Sequence, residues 1–291
     1  MVRQSRSNRS GSLSQTARAA PYKLPKPQTR ILLVSAFFNY LFTAQNQHGL
    51  HSPFVFELYG NVIEKDVQLP EFEAIAKLRK TLRQSRESIS ITDFGAGSRV
   101  NQSSLRQVRD VAKNSEKPPR LGRLFYRLVQ RFESKTIFDL GTSLGITTLY
   151  LAKANLQGRV FTFEGCPETA QIAAKNFADL GSTNIEIIIG NLDETLPRQV
   201  AISPPIDFAF FDANHRYEPT VRYFETCLAK AHENTVFVFD DIHWSAEMQQ
   251  AWAHIQQHAA VCVTIDLFWV GLVFFRKKQP KQHFVLRFPW W

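Results

Sequence analysis

The feature that most constrains the fold of this chain is a regular alternation of strand-like and helix-like segments between residues 134 and 277. Short runs of β-branched and aromatic residues predict strands, and the longer stretches between them have apolar residues at helical spacing. This alternation predicts an α/β fold whose mostly parallel sheet is covered by helices on both faces. The predicted strands are 136–140, 159–164, 185–190, 207–212, 235–240, 261–266 and 271–276. The predicted helices are 145–155, 167–180, 193–200, 217–231 and 246–258.

The last two predicted strands are connected differently from the others. Only residues 267–270 separate them, which is too short for the helical crossover that parallel strands require. We therefore expect a C-terminal antiparallel hairpin, which completes a seven-stranded, mostly parallel sheet.

Residues 31–133 predict a separate, mostly helical N-terminal region. A glycine-rich segment in it, Asp93-Phe-Gly-Ala-Gly-Ser98, resembles a nucleotide-binding loop, but no strand ending in an acid follows at the right distance. That segment predicts a structural turn or part of a lid over a pocket. The predicted helices of this region are 31–46, 53–65, 71–86, 100–114 and 120–133.

Residues 1–30 predict a disordered basic tail, because they have too few large apolar residues to offset their ordering entropy by burial. Of the net charge of +9, seven units lie in this tail, which contains no acid, so the rest of the chain carries only +2. A nearly neutral body offers little charge for binding a nucleic-acid backbone. The basic residues of the tail are Arg3, Arg6, Arg9, Arg18, Lys23, Lys26 and Arg30.

Cysteine content and hydropathy bear on where the chain works and what it contacts. Three widely spaced cysteines without a CxxC pair fit a reducing compartment. No stretch reaches the roughly 18 uninterrupted apolar residues that a membrane helix needs. These features predict a cytoplasmic protein with no membrane partner. The terminal Phe288-Pro-Trp-Trp291 either packs against the body or contacts a second copy in a homodimer.

Ligands of open parallel sheets bind beyond the carboxyl ends of the strands, so the residues at those ends form the candidate site. The first strand ends in a glycine-rich turn with the spacing G-x-x-x-G, which differs from the G-x-G-x-x-G expected for a pyrophosphate. The second ends at Glu164-Gly165, 25 residues after Asp139. A carboxylate there accepts hydrogen bonds from both hydroxyls of a ribose. The turn is Asp139-Leu-Gly141-Thr142-Ser143-Leu-Gly145.

Polar residues also follow the third, fourth and fifth strands. After the third, Asn191 is placed to meet an adenine edge beside Leu192, and Asp193 is expected to cap the next helix. The fourth and fifth strands end in three acids, which repel one another unless they are solvated, hydrogen-bonded or joined by a cation. One interpretation is a Mg²⁺ site. The other divides the acids between the ligand, the loop amides and a helix cap near Trp244. The acids are Asp212, Asp240 and Asp241.

Residues 120–278 resemble the catechol O-methyltransferase-like branch of the class I S-adenosylmethionine-dependent methyltransferases. The resemblance implies a Rossmann-like class I methyltransferase fold, with residues 134–291 as the S-adenosylmethionine-binding domain. The motifs that carry it are FDLGTSLGITTLYLA, VFTFEG, IIGNLDETLP, DFAFFDANHRY and VFVFDDIHW. The cofactor-binding residues it implies are Asp139, Gly141, Thr142, Ser143, Gly145, Glu164, Gly165, Asn191, Leu192 and Asp212.

The resemblance also implies how such a site works. It implies methyl transfer to an oxygen of a small molecule, with Asp212 and His215 as catalytic residues and with Asp212, Asp240 and Asp241 as metal ligands. This sequence has His215 where the catechol enzymes have a general-base Lys, and Asp241 where they have Asn. A non-catalytic, cofactor-binding module with the helical region as its partner surface stays open. An NAD-dependent oxidoreductase is disfavoured, because the middle glycine of its motif is missing.

Overall fold

The computed structural model describes residues 27–92 and 103–289. The strands are β1 (Ser88–Thr92), β2 (Ser103–Gln107), β3 (Thr136–Leu140), β4 (Arg159–Glu164), β5 (Ile185–Ile189), β6 (Ile206–Phe211), β7 (Ala231–Asp240), β8 (Val263–Asp266), β9 (Val270–Phe274) and β10 (Gln282–Val285). The α-helices are α1 (Pro27–Thr43), α2 (Pro53–Leu58), α3 (Pro70–Gln84), α4 (Val108–Ser115), α5 (Pro119–Arg131), α6 (Ile146–Ala154), α7 (Pro167–Asp179), α8 (Leu192–Ile202), α9 (Tyr217–Leu228) and α10 (Ala246–Gln257). A 3₁₀ turn, Gln47–Gly49, precedes α2, and a π-helical turn, Tyr59–Ile63, extends it.

The main sheet confirms the predicted fold class. Its strand order is β10-β8-β9-β7-β6-β3-β4-β5, and β9 runs antiparallel to both β7 and β8. The other neighbours are parallel, so the predicted C-terminal hairpin closes a mostly parallel sheet. Within the described residues this sheet has eight strands, one more than predicted. The additional strand, β10, is only four residues long and pairs in parallel with β8.

Side chains of each central strand alternate between two buried faces, as a sheet covered on both sides requires. On β6, Phe208 and Phe210 belong to one core, and Ala209 and Phe211 belong to the other. The first core contains residues of α2, α3, α5, α6 and α7, and the second contains residues of α8, α9 and α10. The ring of Phe125 on α5 lies 4.6 Å from that of Phe210, centroid to centroid. Helices of the N-terminal region therefore share a core with the sheet.

One predicted helix of the N-terminal region, 100–114, is wrong over residues 103–107. Instead of a helix at 100–114, the structure has strand β2 followed by helix α4. Strand β2 pairs with β1 in a two-stranded antiparallel hairpin, in which Ser90 lies opposite Leu105. Backbone pairing with β1 outweighs the helical propensity of Ser103-Ser-Leu-Arg-Gln107, in which Leu, Arg and Gln favour a helix. The segment 93–98, predicted as a turn or lid, lies outside the described residues.

The ends of the chain are described only in part. Helix α1 begins at Pro27, four residues inside the predicted tail, and residues 1–26 lie outside the described residues, as do Trp290 and Trp291. Phe288 is buried, and its backbone N–H donates to the hydroxyl of Tyr40 on α1. Among the helices that the structure describes, none has the length and apolar character needed to cross a bilayer.

Two glycines with left-handed backbones allow a test of how tightly the turn before α6 is packed. A Cβ on Gly145 (φ 81°) would lie 2.3 Å from the Phe177 ring, whereas one on Gly181 (φ 63°) meets nothing within 4 Å. We expect Gly181→Ala to lower the free energy of unfolding by about 1–2 kcal/mol through backbone strain. Gly145→Ala is expected to cost about 1–3 kcal/mol more, because the added methyl overpacks the core. Urea unfolding of both variants measures the difference, and equal losses would contradict this packing.

Candidate functional site

A cavity of about 680 Å³ lies at the carboxyl ends of strands β3, β4, β5 and β6. Residues of strand β1 and of helix α4 also line it. Its position is the one expected for a ligand site of an open parallel sheet. The predicted site residues that line it are Gly141, Ser143, Glu164, Gly165, Asn191, Leu192, Asp212, His215 and Asp241.

Asp139 lies behind the cavity wall and orients the glycine-rich turn. Its carboxylate is fully buried and accepts hydrogen bonds from the hydroxyls of Thr148, at 2.6 Å, and Thr162, at 2.8 Å. Burial raises the pKa of Asp139 to about 7, although both hydroxyls oppose that change. The hydroxyl of Thr142 lies 2.6 Å from that of Thr162, so this network fixes the turn against β4. Of the predicted cofactor residues, Asp139, Thr142 and Gly145 do not line the cavity.

The first glycine of the turn lies against the end of β6. Gly141 has φ 121°, and a Cβ on it would lie 2.4 Å from the backbone oxygen of Asp212. The backbone N–H of Asp212 also donates to the carbonyl of Leu140, at 2.9 Å. Only glycine permits so close an approach, which places the turn and Asp212 side by side on the cavity wall.

Glu164 ends β4 with its carboxylate on the cavity wall. One carboxylate oxygen accepts the backbone N–H of Ser143, at 2.8 Å, and the other accepts that of Cys166, at 2.9 Å. Burial raises the pKa of Glu164, and these backbone donors oppose the change. Each oxygen has a further lone pair, so the carboxylate can accept hydrogen bonds from a diol in the cavity.

The cap of α8 corrects the prediction for the end of β5. Asn191, not Asp193, is the N-cap: its side-chain oxygen accepts the backbone N–H of Asp193, at 3.0 Å. The carboxylate of Asp193 instead accepts hydrogen bonds from Arg222, at 2.8 Å, and from the hydroxyl of Tyr223, at 2.7 Å. Asn191 still lines the cavity. The cap uses its side-chain oxygen, so its side-chain NH₂ group can donate hydrogen bonds to a ligand.

The acids after β6 and β7 are joined by a lysine that the sequence analysis did not identify. The ammonium of Lys117 donates to Asp212 Oδ1, at 3.0 Å, and forms a second, short hydrogen bond to Asp240 Oδ2. Burial acts to lower the pKa of Lys117, but the neighbouring carboxylates outweigh it and raise that pKa, so the ammonium is charged at neutral pH. No motif surrounds Lys117 in the sequence, and its partners lie 95 and 123 residues away.

His215 completes this cluster and contacts the same oxygen of Asp212 as Lys117 does. Its Nε2 lies 3.3 Å from Asp212 Oδ1, and its ring lines the cavity. Burial acts to lower the pKa of His215, but hydrogen bonding to Asp212 and the charge of that carboxylate raise it to about 9. The imidazole is therefore protonated at neutral pH, and acts as a base only in more alkaline solution.

The three acids do not form one cluster. Candidate ligand atoms of Asp212, His215 and Asp240 lie within 4.8 Å of one another, and Asp241 is not in that group. Asp241 has a left-handed backbone (φ 53°) and lines the cavity. Burial raises the pKa of both Asp240 and Asp241, so these carboxyls depend on neighbouring positive charge to remain ionised.

The donor set does not fit Mg²⁺ as the side chains are arranged. Mg²⁺ requires oxygen ligands at about 2.0–2.1 Å in octahedral geometry. The facing oxygens of Asp212 and Asp240 are instead hydrogen-bonded to the Lys117 ammonium, which lies between them. A metal ion between these carboxylates would have to displace that ammonium.

Comparison with known proteins finds similarity to methyltransferases. Residues 138–242 match the family model of a methyltransferase domain. A catechol O-methyltransferase from Niastella koreensis is 32% identical over 127 residues, which are 43% of this chain and 57% of that enzyme. The transmembrane O-methyltransferase of Homo sapiens is 33% identical over 82 residues, which are 27% of this chain and 28% of that protein. The chain thus spans less than two thirds of the length of these curated relatives.

Solved structures extend the comparison to about three quarters of the chain. The O-methyltransferase from Bacillus cereus in complex with SAH has a TM-score of 0.52 and 18% identity, covering 75% of this chain and 94% of that chain. The O-methyltransferase TomG from Streptomyces achromogenes in complex with SAM has a TM-score of 0.54 and 17% identity, covering 76% of this chain and 94% of that chain. The fold is that of the class I methyltransferases, and the resemblance to their catechol O-methyltransferase-like branch is confirmed.

Proposed function

We propose that this chain transfers a methyl group from S-adenosylmethionine to a hydroxyl oxygen of a small molecule. The observation that carries the proposal is the half-buried carboxylate of Glu164, which ends β4 on the wall of the cavity beside the glycine-rich turn. The family match over residues 138–242 and the O-methyltransferase relatives support the same reaction class. The catechol O-methyltransferase among them supports a hydroxyl as the acceptor group.

The cavity has the size and the donors for the cofactor. A volume of about 680 Å³ lies within the range of about 300–1,000 Å³ that is usual for ligand pockets. Glu164 would hold the ribose, Asn191 and Leu192 would border the adenine, and Gly141 and Ser143 would leave room for the amino-acid end. S-adenosylmethionine, when bound, supplies an electrophilic methyl group.

The side chains beyond the cofactor residues would position the acceptor and take up its proton. His215 lies on the cavity wall with Asp212 behind its Nε2, so the pair can accept a proton from a hydroxyl in the cavity. The pKa of His215, about 9, is close to that of a weakly acidic hydroxyl such as a phenol, which favours proton transfer between the two. Alignment of the acceptor with the methyl donor is the main rate contribution expected of such a site.

A small molecule is the favoured acceptor because the body of the chain has little net charge, +2 without residues 1–30. The three cysteines are free, in keeping with a reducing compartment, and we place the enzyme in the cytoplasm on that basis. They are Cys166, Cys227 and Cys262.

Binding of S-adenosylhomocysteine tests the cofactor assignment. We expect saturable binding that weakens in Glu164→Ala by about 1.5–3 kcal/mol, the range for hydrogen bonds to a charged group. Isothermal titration calorimetry measures the loss, and Glu164→Gln, which retains one acceptor oxygen, is expected to lose less.

Glu186→Ala is the matched control, because Glu186 lies on neighbouring β5 and is exposed in an ion pair with Arg159. Unchanged affinity in folded Glu164→Ala would remove the ribose-binding assignment. Tight binding without methyl transfer to any hydroxyl of a broad acceptor panel would favour the non-catalytic alternative.

The pH dependence of methyl transfer tests His215 as the base. Because its pKa is about 9, the neutral imidazole is scarce at neutral pH, and the rate is expected to rise with pH to a half-maximum near that value. Asp212→Asn removes the carboxylate that raises this pKa, so its profile is expected to shift to lower pH. His215→Gln is expected to lose the rise altogether. A wild-type rate that is flat from neutral pH to above this pKa would exclude His215 as the base.

A further inference from the structure

Strands β6 and β7 are hydrogen-bonded neighbours that end in acids on the same edge of the sheet. Asp212 follows the last residue of β6, and Asp240 is the last residue of β7. Two carboxylates in this position repel each other strongly when they are shielded from water. The Asp240 side chain is 2% exposed and that of Asp212 is 15% exposed, so solvent relieves little of the repulsion. The repulsion is relieved either by a proton on one of the carboxyls or by a cation between the two.

The cation between these carboxylates belongs to the chain itself. The ammonium of Lys117 contacts an oxygen of each carboxylate, and its side chain is 18% exposed. Lys117 also lines the cavity, so the same ammonium borders the space for the acceptor. An ammonium has three N–H donors, of which two are used by Asp212 and Asp240. The third is available to an acceptor oxygen.

The backbone that carries Lys117 is held on both sides. Its carbonyl oxygen accepts a hydrogen bond from Arg79 Nη1, at 2.6 Å. The preceding Glu116 has a carboxylate that is 1% exposed and pairs with Arg79, at 3.3 Å, and Arg83, at 2.9 Å. Pro118 and Pro119 follow, and proline fixes the backbone angle φ. These contacts hold the backbone of Lys117 in place, and its side chain extends from there to the acids.

A further hydrogen bond links the segment that carries Lys117 to the glycine-rich turn. The hydroxyl of Ser143, in the glycine-rich turn, donates to that of Ser115 at 2.8 Å, two residues before Lys117. A movement of Lys117 away from the acids would disturb both this contact and the Arg79 hydrogen bond. The arrangement favours a fixed cation over one exchanged with solvent.

We propose that Lys117 is the resident cation of this site, that it occupies the place of a divalent metal ion between Asp212 and Asp240, and that the site needs no metal. The part of this proposal that concerns acceptor activation rests on the proposed methyl transfer. In that reaction the ammonium lowers the energy of the acceptor as its oxygen becomes negative, through charge and a hydrogen bond. The part that concerns the cation site is independent of any activity.

The experiment compares Mn²⁺ binding by calorimetry in the full chain and in three variants. Lys117→Met removes the charge at similar length, and Lys117→Met/Asp240→Asn also removes one carboxylate. Lys113→Met, on the exposed surface of α4, is the matched control. We expect no saturable Mn²⁺ binding in the wild type or in Lys113→Met. We expect Lys117→Met to bind Mn²⁺ at least about tenfold more tightly than either, because a competing charge is removed. The double variant is expected to lose that gain.

Methyl transfer and S-adenosylhomocysteine binding are measured on the same preparations. The wild-type rate is expected to be equal with EDTA and with added Mg²⁺. Saturable wild-type Mn²⁺ binding equal to that of Lys117→Met, or a wild-type rate abolished by EDTA, would overturn the proposal. Absence of Mn²⁺ binding in a folded Lys117→Met would also overturn it. If Lys117→Met fails to fold, the wild-type titration and the double variant decide. If the wild type does not bind S-adenosylhomocysteine, the proposed function is contradicted. The result for the cation site is then unaffected.

Discussion

The ion pair between the Lys117 ammonium and two carboxylates at the ends of β6 and β7 is the contact on which the cavity depends. Asp212 and Asp240 must lie close together, because their strands are neighbours in the sheet. Breaking a buried ion pair by removing one partner typically costs about 3–5 kcal/mol, since a charge is left uncompensated. The lysine comes from the connection between α4 and α5, so the same contact fastens the N-terminal region to the strand ends. Lys117 of this connection thereby lines the cavity together with the strand ends.

The charges around the cavity divide it into two ends with different chemistry. At the β4 end, Glu164 is surrounded by backbone donors and presents a carboxylate, which suits a neutral diol. At the β6 and β7 ends, the positive charges of Lys117 and His215 lie against the acids and border the same space. A site with a hydrogen-bonded carboxylate at one end and with cations paired to acids at the other can hold a nucleoside and stabilise an oxygen that becomes negative.

The alternating strands and helices of the main sheet could be predicted from the sequence, because the pattern of residues that forms each element is local. Strands β3 and β4 have the predicted bounds, since buried parallel strands give apolar runs closed by glycine or acid. Glu164 was identified for the same reason: it ends such a run at a fixed distance from a glycine-rich turn. The cavity at the carboxyl ends of the strands follows from the topology alone.

What the sequence did not reveal depends on contacts between distant segments. Strand β2 was predicted as helix because ten residues of sequence separate it from its partner β1, whereas the sequence signals of a hairpin are turns of two to five residues. Asn191 and Asp193 are both good helix caps, and only the partners Arg222 and Tyr223 decide which of them caps α8. Lys117 is a single lysine before two prolines, and no spacing rule connects it with acids more than 90 residues away.

The most direct test of this account is a crystal structure grown with S-adenosylhomocysteine and MnCl₂, with data collected at a wavelength where manganese scatters anomalously. The account predicts the ribose on the Glu164 carboxylate and the Lys117 ammonium between Asp212 and Asp240, without an anomalous peak between those carboxylates. A manganese peak there with Lys117 displaced would contradict the resident-cation claim. A cavity that lacks the nucleoside at saturating concentration would contradict the cofactor assignment.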